Sequence, residues 1–311
     1  MEPTTPTSRR RFIALAVRSV LAAGLLVVLF QFVDLKAVLS AFTRADVTFL
    51  LGGAILVVAN LGLQLAKWRY FVRLVNPDNS NVEITASLLF GITLGTITPG
   101  QLGEFGGRAL RHQSLPAGSV VGLTLVDKIQ MMCILGIGGT IGLVELYDLV
   151  MPFGPLLITV VSACGLLIFF RSHVLIGTVV HIRPALAERY LLKEFFASIT
   201  VFKRKDLTIA FLLSISFYLV LFAQMFFFLN AFEPVSPYEA FVGFSAMMFL
   251  KSLLPISLGD LGIREVTSAY FFSLCGVAEA TSVSAALLLF AVNVLLPSVV
   301  GLLFIPKLQQ Q

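Results

Sequence analysis

Six stretches of this sequence, at about 12–33, 47–66, 117–143, 150–170, 207–230 and 282–305, are long and apolar enough to cross a lipid bilayer. A hydrocarbon core about 30 Å thick needs roughly 20 apolar residues in helical form. Composition agrees, with 58% hydrophobic and only 13% charged residues, against roughly 45–50% and 25% in soluble domains. So few charges cannot clothe a water-soluble fold, and a disordered chain is far more polar. The reading is an all-α polytopic membrane protein, a single membrane domain over residues 1–311. The net charge of +5 therefore carries no nucleic-acid signal. Cys133, Cys164 and Cys275 lie in apolar stretches, and His112, His173 and His181 are scattered without ligand spacing. No disulfide, metal or cofactor is expected.

Two further apolar stretches are interrupted. Residues 84–98 end at Thr98-Pro99-Gly100 and resume as a Gly-rich segment carrying Glu104, Arg108 and Arg111. Residues 239–254 end at Pro255 and resume after Gly259 with Asp260, Arg264 and Glu265. Each half is too short for a span and suits one arm of a re-entrant hairpin. Charge placement agrees. Arg9, Arg10, Arg11 and Arg18 put the N-terminus in the cytoplasm, ahead of an uncleaved first span. If 84–112 enters and leaves on one side, the basic loop 171–206 with Arg171, Arg183, Arg189, Lys193 and Lys203–Lys205 is also cytoplasmic. The loops 144–149 and 231–238 then face outward without a basic residue. Both termini come out cytoplasmic, as in a bacterial inner-membrane protein. Trp68, between Lys67 and Arg69, is expected as an interfacial anchor. Residues 185–202, with Leu186, Tyr190, Leu191, Phe195 and Ile199 at helical spacing, are expected as an amphipathic helix on the inner leaflet.

The hairpins repeat one another without a gap at an offset of 156 residues. Pro99 pairs with Pro255, Leu102 with Leu258, Gly103 with Gly259, Glu104 with Asp260, Gly106 with Gly262, and Arg108 with Arg264. Two spans, a hairpin and one span recur in each half, about 12–146 and 147–305. Three spans per half is an odd number, so the second copy sits inverted relative to the first. The fold expected is about six full spans plus two broken-helix hairpins in an inverted repeat, the architecture of many secondary transporters.

The repeated residues are helix breakers and charges. Pro99, Gly100, Gly103, Pro255, Gly259 and Gly262 free backbone groups that lipid cannot satisfy, so their turns must line protein or a watery cavity. The half-helix after each turn then aims its first N–H groups at that cavity, a ready anion site. Glu104 precedes Arg108 by four residues and Asp260 precedes Arg264 by four, the favourable order for an intrahelical ion pair. Arg111 and Lys251 add cations, Glu265 a carboxylate, and Asp127 with Lys128 a further candidate pair. Charge at this depth costs several kcal/mol, roughly, unless it is paired or used.

These hairpins also carry a family resemblance. Thr98-Pro99-Gly100-Gln101-Leu102-Gly103-Glu104 followed by Arg108 resembles the first motif of the lysylphosphatidylglycerol synthase transmembrane-region, or flippase-like domain, family. Leu254-Pro255-Ile256-Ser257-Leu258-Gly259 with Gly262-Ile263-Arg264-Glu265 resembles its second, and the likeness spans about residues 12–305. Asp127-Lys128 and Asp260 depart from the residues commonest there. The resemblance implies a domain that binds and translocates a phospholipid or polyprenyl-phosphate-linked lipid, or assists an enzyme that makes one. Only a short tail follows Phe304, so aminoacyl transfer is not expected.

The leading expectation is thus a lipid flippase-like transporter for anionic head groups, without enzymatic activity. Its energy would come from passive flow, a coupled ion or downstream consumption. The alternatives are a non-transporting scaffold for a lipid- or glycan-modifying enzyme, and an intramembrane enzyme acting on a lipid phosphate through Glu104, Asp260 or Glu265.

Overall fold

A computed structural model describes residues 43, 45–98, 100–147, 153–182, 190–254, 260 and 262–305. The first expected span, about 12–33, lies outside the described residues, as do Pro99, Pro255 and Gly259. All regular structure among the described residues is helical. In chain order the helices are α1 (Val47–Val75), α2 (Asn81–Thr96), α3 (Gly103–Arg111), α4 (Ala117–Tyr147), α5 (Gly154–Ile182), α6 (Tyr190–Thr200), α7 (Arg204–Asn230), α8 (Pro237–Leu253), α9 (Ile263–Leu274) and α10 (Glu279–Phe290). A π-helical turn (Ala291–Leu295), α11 (Leu296–Gly301) and a 3₁₀ turn (Leu302–Phe304) continue α10.

Among the described residues, α1, α4, α7 and the run Glu279–Phe304 are long and apolar enough to cross a membrane. Helix α5 is 29 residues long and covers most of the 150–170 stretch expected as a span. The remaining arms fall short of a crossing. At about 1.5 Å per residue, the 9-residue α3 and 12-residue α9 cover roughly 14 and 18 Å. Several helices begin where a side chain supplies a partner for their orphan N–H groups. Asp46 accepts from Thr48 N at 2.7 Å to start α1. Ser236 and Glu239 form a reciprocal cap ahead of Pro237 to start α8.

With lipid as solvent, large apolar side chains can face outward. On α1, Val47, Leu51, Ile55 and Val58 form one exposed stripe at helical spacing. The inward faces build two large cores, with a smaller cluster at Phe290. One gathers Phe228, Phe244, Met247, Phe271 and Phe272 from α7, α8 and α9. The other joins Trp68 and Phe71 of α1 to Ile84 of α2, Leu123 of α4, Ile199 of α6 and Leu207 of α7. Where apolar burial gains little over lipid, close backbone approach matters more. At α4 against α8, a Cβ added to Gly142 would lie 2.7 Å from the Val242 carbonyl oxygen, and one on Gly139 would lie 2.1 Å from Phe249 Cβ.

Two expectations are corrected here. Trp68 is no interfacial anchor: it is 1% exposed, and its Nε1 donates to Ser87 Oγ at 2.8 Å. Phe195 and Ile199, the residues of the α6 apolar face whose side chains are described, pack on protein rather than on the inner leaflet. Ser198 and Ile199 are buried, with Ser198 Oγ against the bare Cα of Gly122 on α4. A glycine groove on α4 offers that face a closer fit than fluid acyl chains; residues 183–189, before α6, lie outside the described residues.

Candidate functional site

The site begins at the first hairpin's turn. Thr98 Oγ1 accepts from Gly103 N at 2.6 Å and donates to Leu94 O at 3.0 Å, closing the loop from α2 into α3. Gly100 (φ 58°) and Gln101 (φ 57°) then turn the chain in left-handed conformation. For Gln101 this costs about 1–2 kcal/mol. The conformation aims its amide at the other hairpin, where Nε2 donates to Asp260 Oδ2 at 2.8 Å. Asp260 is likewise left-handed (φ 63°). The two turns are thus joined side chain to side chain.

Around the first turn lies a ring of buried charge. Arg108 of α3 pairs with Glu104 one turn earlier on the same helix and with Asp127 of α4 at 3.1 Å. Asp127 also takes Lys67 of α1 at 2.8 Å, and Lys128 pairs with Glu104. The Arg108 guanidinium lies 4.3 Å from the centre of the Trp68 ring, a cation–π contact that helps to hold it out of water. Gly91 on α2 makes room for this side chain: a Cβ there would sit 2.6 Å from Arg108 Cγ.

The second hairpin repeats the design more sparsely. Lys251, in the last turn of α8, pairs with Asp260 at 2.7 Å, so it does not snorkel to an interface. Arg264 of α9 lies 3.8 Å from the same carboxylate, with its guanidinium 5.1 Å from the centre of the Phe290 ring. Its buried Nη1 has no partner among the described residues, nor has Arg108 Nε. Glu265 turns back to cap its own helix, accepting from Gly262 N at 2.5 Å, and Gly262 takes the positive φ of 81° that this cap needs.

Between the hairpins is a cavity of about 490 Å³. Lys67, Arg108, Lys128, Lys251 and Arg264 line it, together with Glu104, Asp127 and Asp260. Five cations against three carboxylates leave an excess of two positive charges. The walls between them are largely apolar, including Leu63, Leu135, Phe217 and Met248. Such a chamber accepts an anion that brings an apolar body with it.

Most of the residues singled out in the sequence meet here. Gly100, Glu104, Arg108, Asp127, Lys128, Lys251, Asp260 and Arg264 all line the cavity. Gly103 instead packs its bare Cα against the Leu94 carbonyl, and Glu265, Gly262 and Arg111 are not among the lining residues. Lys67 and Gln101 are among the lining residues that had not been anticipated. Lys67 reads in sequence as a marker at the cytoplasmic end of a span, yet it follows Asn60 and Gln64 by seven and three residues, which makes a polar stripe on one face of an apolar helix. Gln101 lies inside the first motif but carries no charge to draw attention.

The family model for the lysylphosphatidylglycerol synthase TM region matches residues 15–301, nearly the whole chain, and the chain belongs to that family. Comparisons with curated proteins and with solved structures give no match. Family and apolar helices together make this an integral membrane protein with a membrane lipid-related role.

Proposed function

We propose that this member of the family binds the phosphate of an anionic lipid, a phospholipid or a polyprenyl-phosphate-linked lipid, in the cavity between the hairpins and carries it across the membrane. The observation that carries this reading is the excess of two positive charges in a chamber with apolar walls. The Nη1 of Arg264, without a partner among the described residues, offers a donor, and an Arg already paired on one edge can still grip a phosphate with another. Asp260 and Glu104 hold the cations in place and shield them from one another when the ligand is absent.

The proposed route is alternating exposure by two inverted halves. In support, α7 and α8 begin 157 and 156 residues after α1 and α2, in step with the repeat in the motifs. In this reading six full spans and two re-entrant hairpins sit in a bacterial inner membrane with both termini cytoplasmic. The protein acts as a transporter, not an enzyme, and hands its lipid to, or receives it from, a lipid- or glycan-modifying enzyme.

Reconstitution into liposomes with a head-group-labelled anionic phospholipid tests the proposal. The wild type is expected to equilibrate the label between leaflets, and the double variant Arg108→Ala/Arg264→Ala to lower the rate at least tenfold. Wild-type rates in that variant would sink the proposal.

A further inference from the structure

Beside the cations the same cavity carries a second, uncharged polar group. Asn60 and Gln64 of α1 and Asn293 of the π-helical turn line it. Behind them stands Gln224 of α7, fully buried. Their orientations follow from one fixed point. The Gly53 carbonyl can only accept, so Gln224 presents Nε2 to it, at 3.2 Å. Gln224 Oε1 then faces the other way and takes Asn293 Nδ2 at 3.0 Å and Asn60 Nδ2 at 3.4 Å. Asn60 Oδ1 in turn takes Gln64 Nε2 at 2.7 Å.

That polarity leaves the chain of amides with open acceptors toward its ends. Asn293 Oδ1 is buried and has no partner among the described residues, in a residue only 9% exposed. Gln64 Oε1 likewise takes no hydrogen bond from the described residues. A buried acceptor without a donor costs about 1–3 kcal/mol, and π-helical turns within α-helices are frequent at functional sites. Pro297, four residues on, supplies no N–H to that stretch of helix.

We propose that these amides form a neutral subsite for the part of the head group beyond the phosphate, and that this part is hydroxyl-bearing: a polyol or a sugar. This deepens the proposed function and rests on it. Unfilled acceptors call for a ligand that donates, which excludes a trimethylammonium group and an ester oxygen; a primary ammonium donates too, but the cavity's excess of two positive charges disfavours it against a neutral hydroxyl. Placement fits one molecule touching both subsites. Gln64 and Asn60 precede Lys67 on the same face of α1 by about 4.5 and 10.5 Å of helix rise. A ring or a short polyol esterified to a phosphate at Lys67 and Arg108 therefore reaches the amides.

The test measures binding of phosphatidylinositol and of phosphatidic acid to the purified full-length protein in nanodiscs. The first has a hydroxylated ring beyond its phosphate and the second has none. Asn293→Leu and Gln64→Met are each expected to weaken phosphatidylinositol about tenfold, as for one lost hydrogen bond, and phosphatidic acid less than twofold. Gln64→Met leaves the Gln224 anchor intact, so it reports even where Asn293→Leu unfolds. A parallel loss for both lipids, or no loss for phosphatidylinositol, overturns the subsite while leaving phosphate binding in place. Failure of the wild type to bind either lipid overturns the proposed function and the subsite with it.

Discussion

Asp127 shows how much of the site one residue can hold. Its two oxygens take Lys67 from α1 and Arg108 from α3, and both cations are buried. Breaking such a pair from one side strands charge in low dielectric, at about 3–5 kcal/mol, whereas replacing both members with apolar residues is often close to neutral. Asp127→Leu is therefore expected to lower unfolding stability by about 3 kcal/mol, the smaller end because its side chain keeps some exposure. Lys67→Met/Asp127→Leu should recover part of the loss, since Arg108 retains Glu104. Denaturant unfolding in mixed micelles checks both, and an additive double variant contradicts the coupling. The Glu104–Arg108 pair was legible in the sequence because four residues is one helical turn. The reach of Asp127 to Lys67 was not, because a lysine at the end of an apolar run looks the same whether it snorkels into water or turns inward.

At the scale of elements, glycines set how closely helices approach. Gly142 faces the backbone of α8, so even Gly142→Ala puts a Cβ 2.7 Å from the Val242 carbonyl oxygen and must drive α4 and α8 apart. It is expected to cost about 1–3 kcal/mol, the range for overpacking. Gly136, on the same helix, has its nearest neighbour, Phe249 Cε2, 4.0 Å from such a Cβ. Gly136→Ala should instead stabilise by up to about 1 kcal/mol through helix propensity alone. Thermal melting in detergent separates the two, and equal effects would deny the close contact. The helix pattern of these elements was readable, but which glycine touches what was not. The same holds for α6: its apolar period is visible at Phe195 and Ile199, yet that face would suit lipid as well as α4. Only the groove at Gly122 decides for protein.

For the whole molecule the proposed inversion makes a prediction that needs no ligand. In a background with Cys133, Cys164 and Cys275 replaced by Ser, Gln113→Cys lies at the mouth of the first hairpin and Pro234→Cys precedes the second; both positions are exposed. A membrane-impermeant maleimide should label Gln113→Cys from the cytoplasmic side and Pro234→Cys from the opposite side. Labelling of both from one side contradicts the inverted arrangement. What the sequence determined by itself is what lipid dictates locally. Apolar runs of span length must be helices, Pro and Gly must interrupt two of them, and the acid–base spacing must pair Glu104 with Arg108. Those rules act within one turn of one helix, so one strand of text carries them. The tertiary structure decided the rest: Lys67 beside Asp127, Gln101 across to Asp260, and four amides from three elements ordered by the Gly53 carbonyl. Each of these depends on which faces of distant helices pack together, and in a bilayer the hydrophobic pattern leaves that choice open, because lipid and protein receive an apolar face almost equally well.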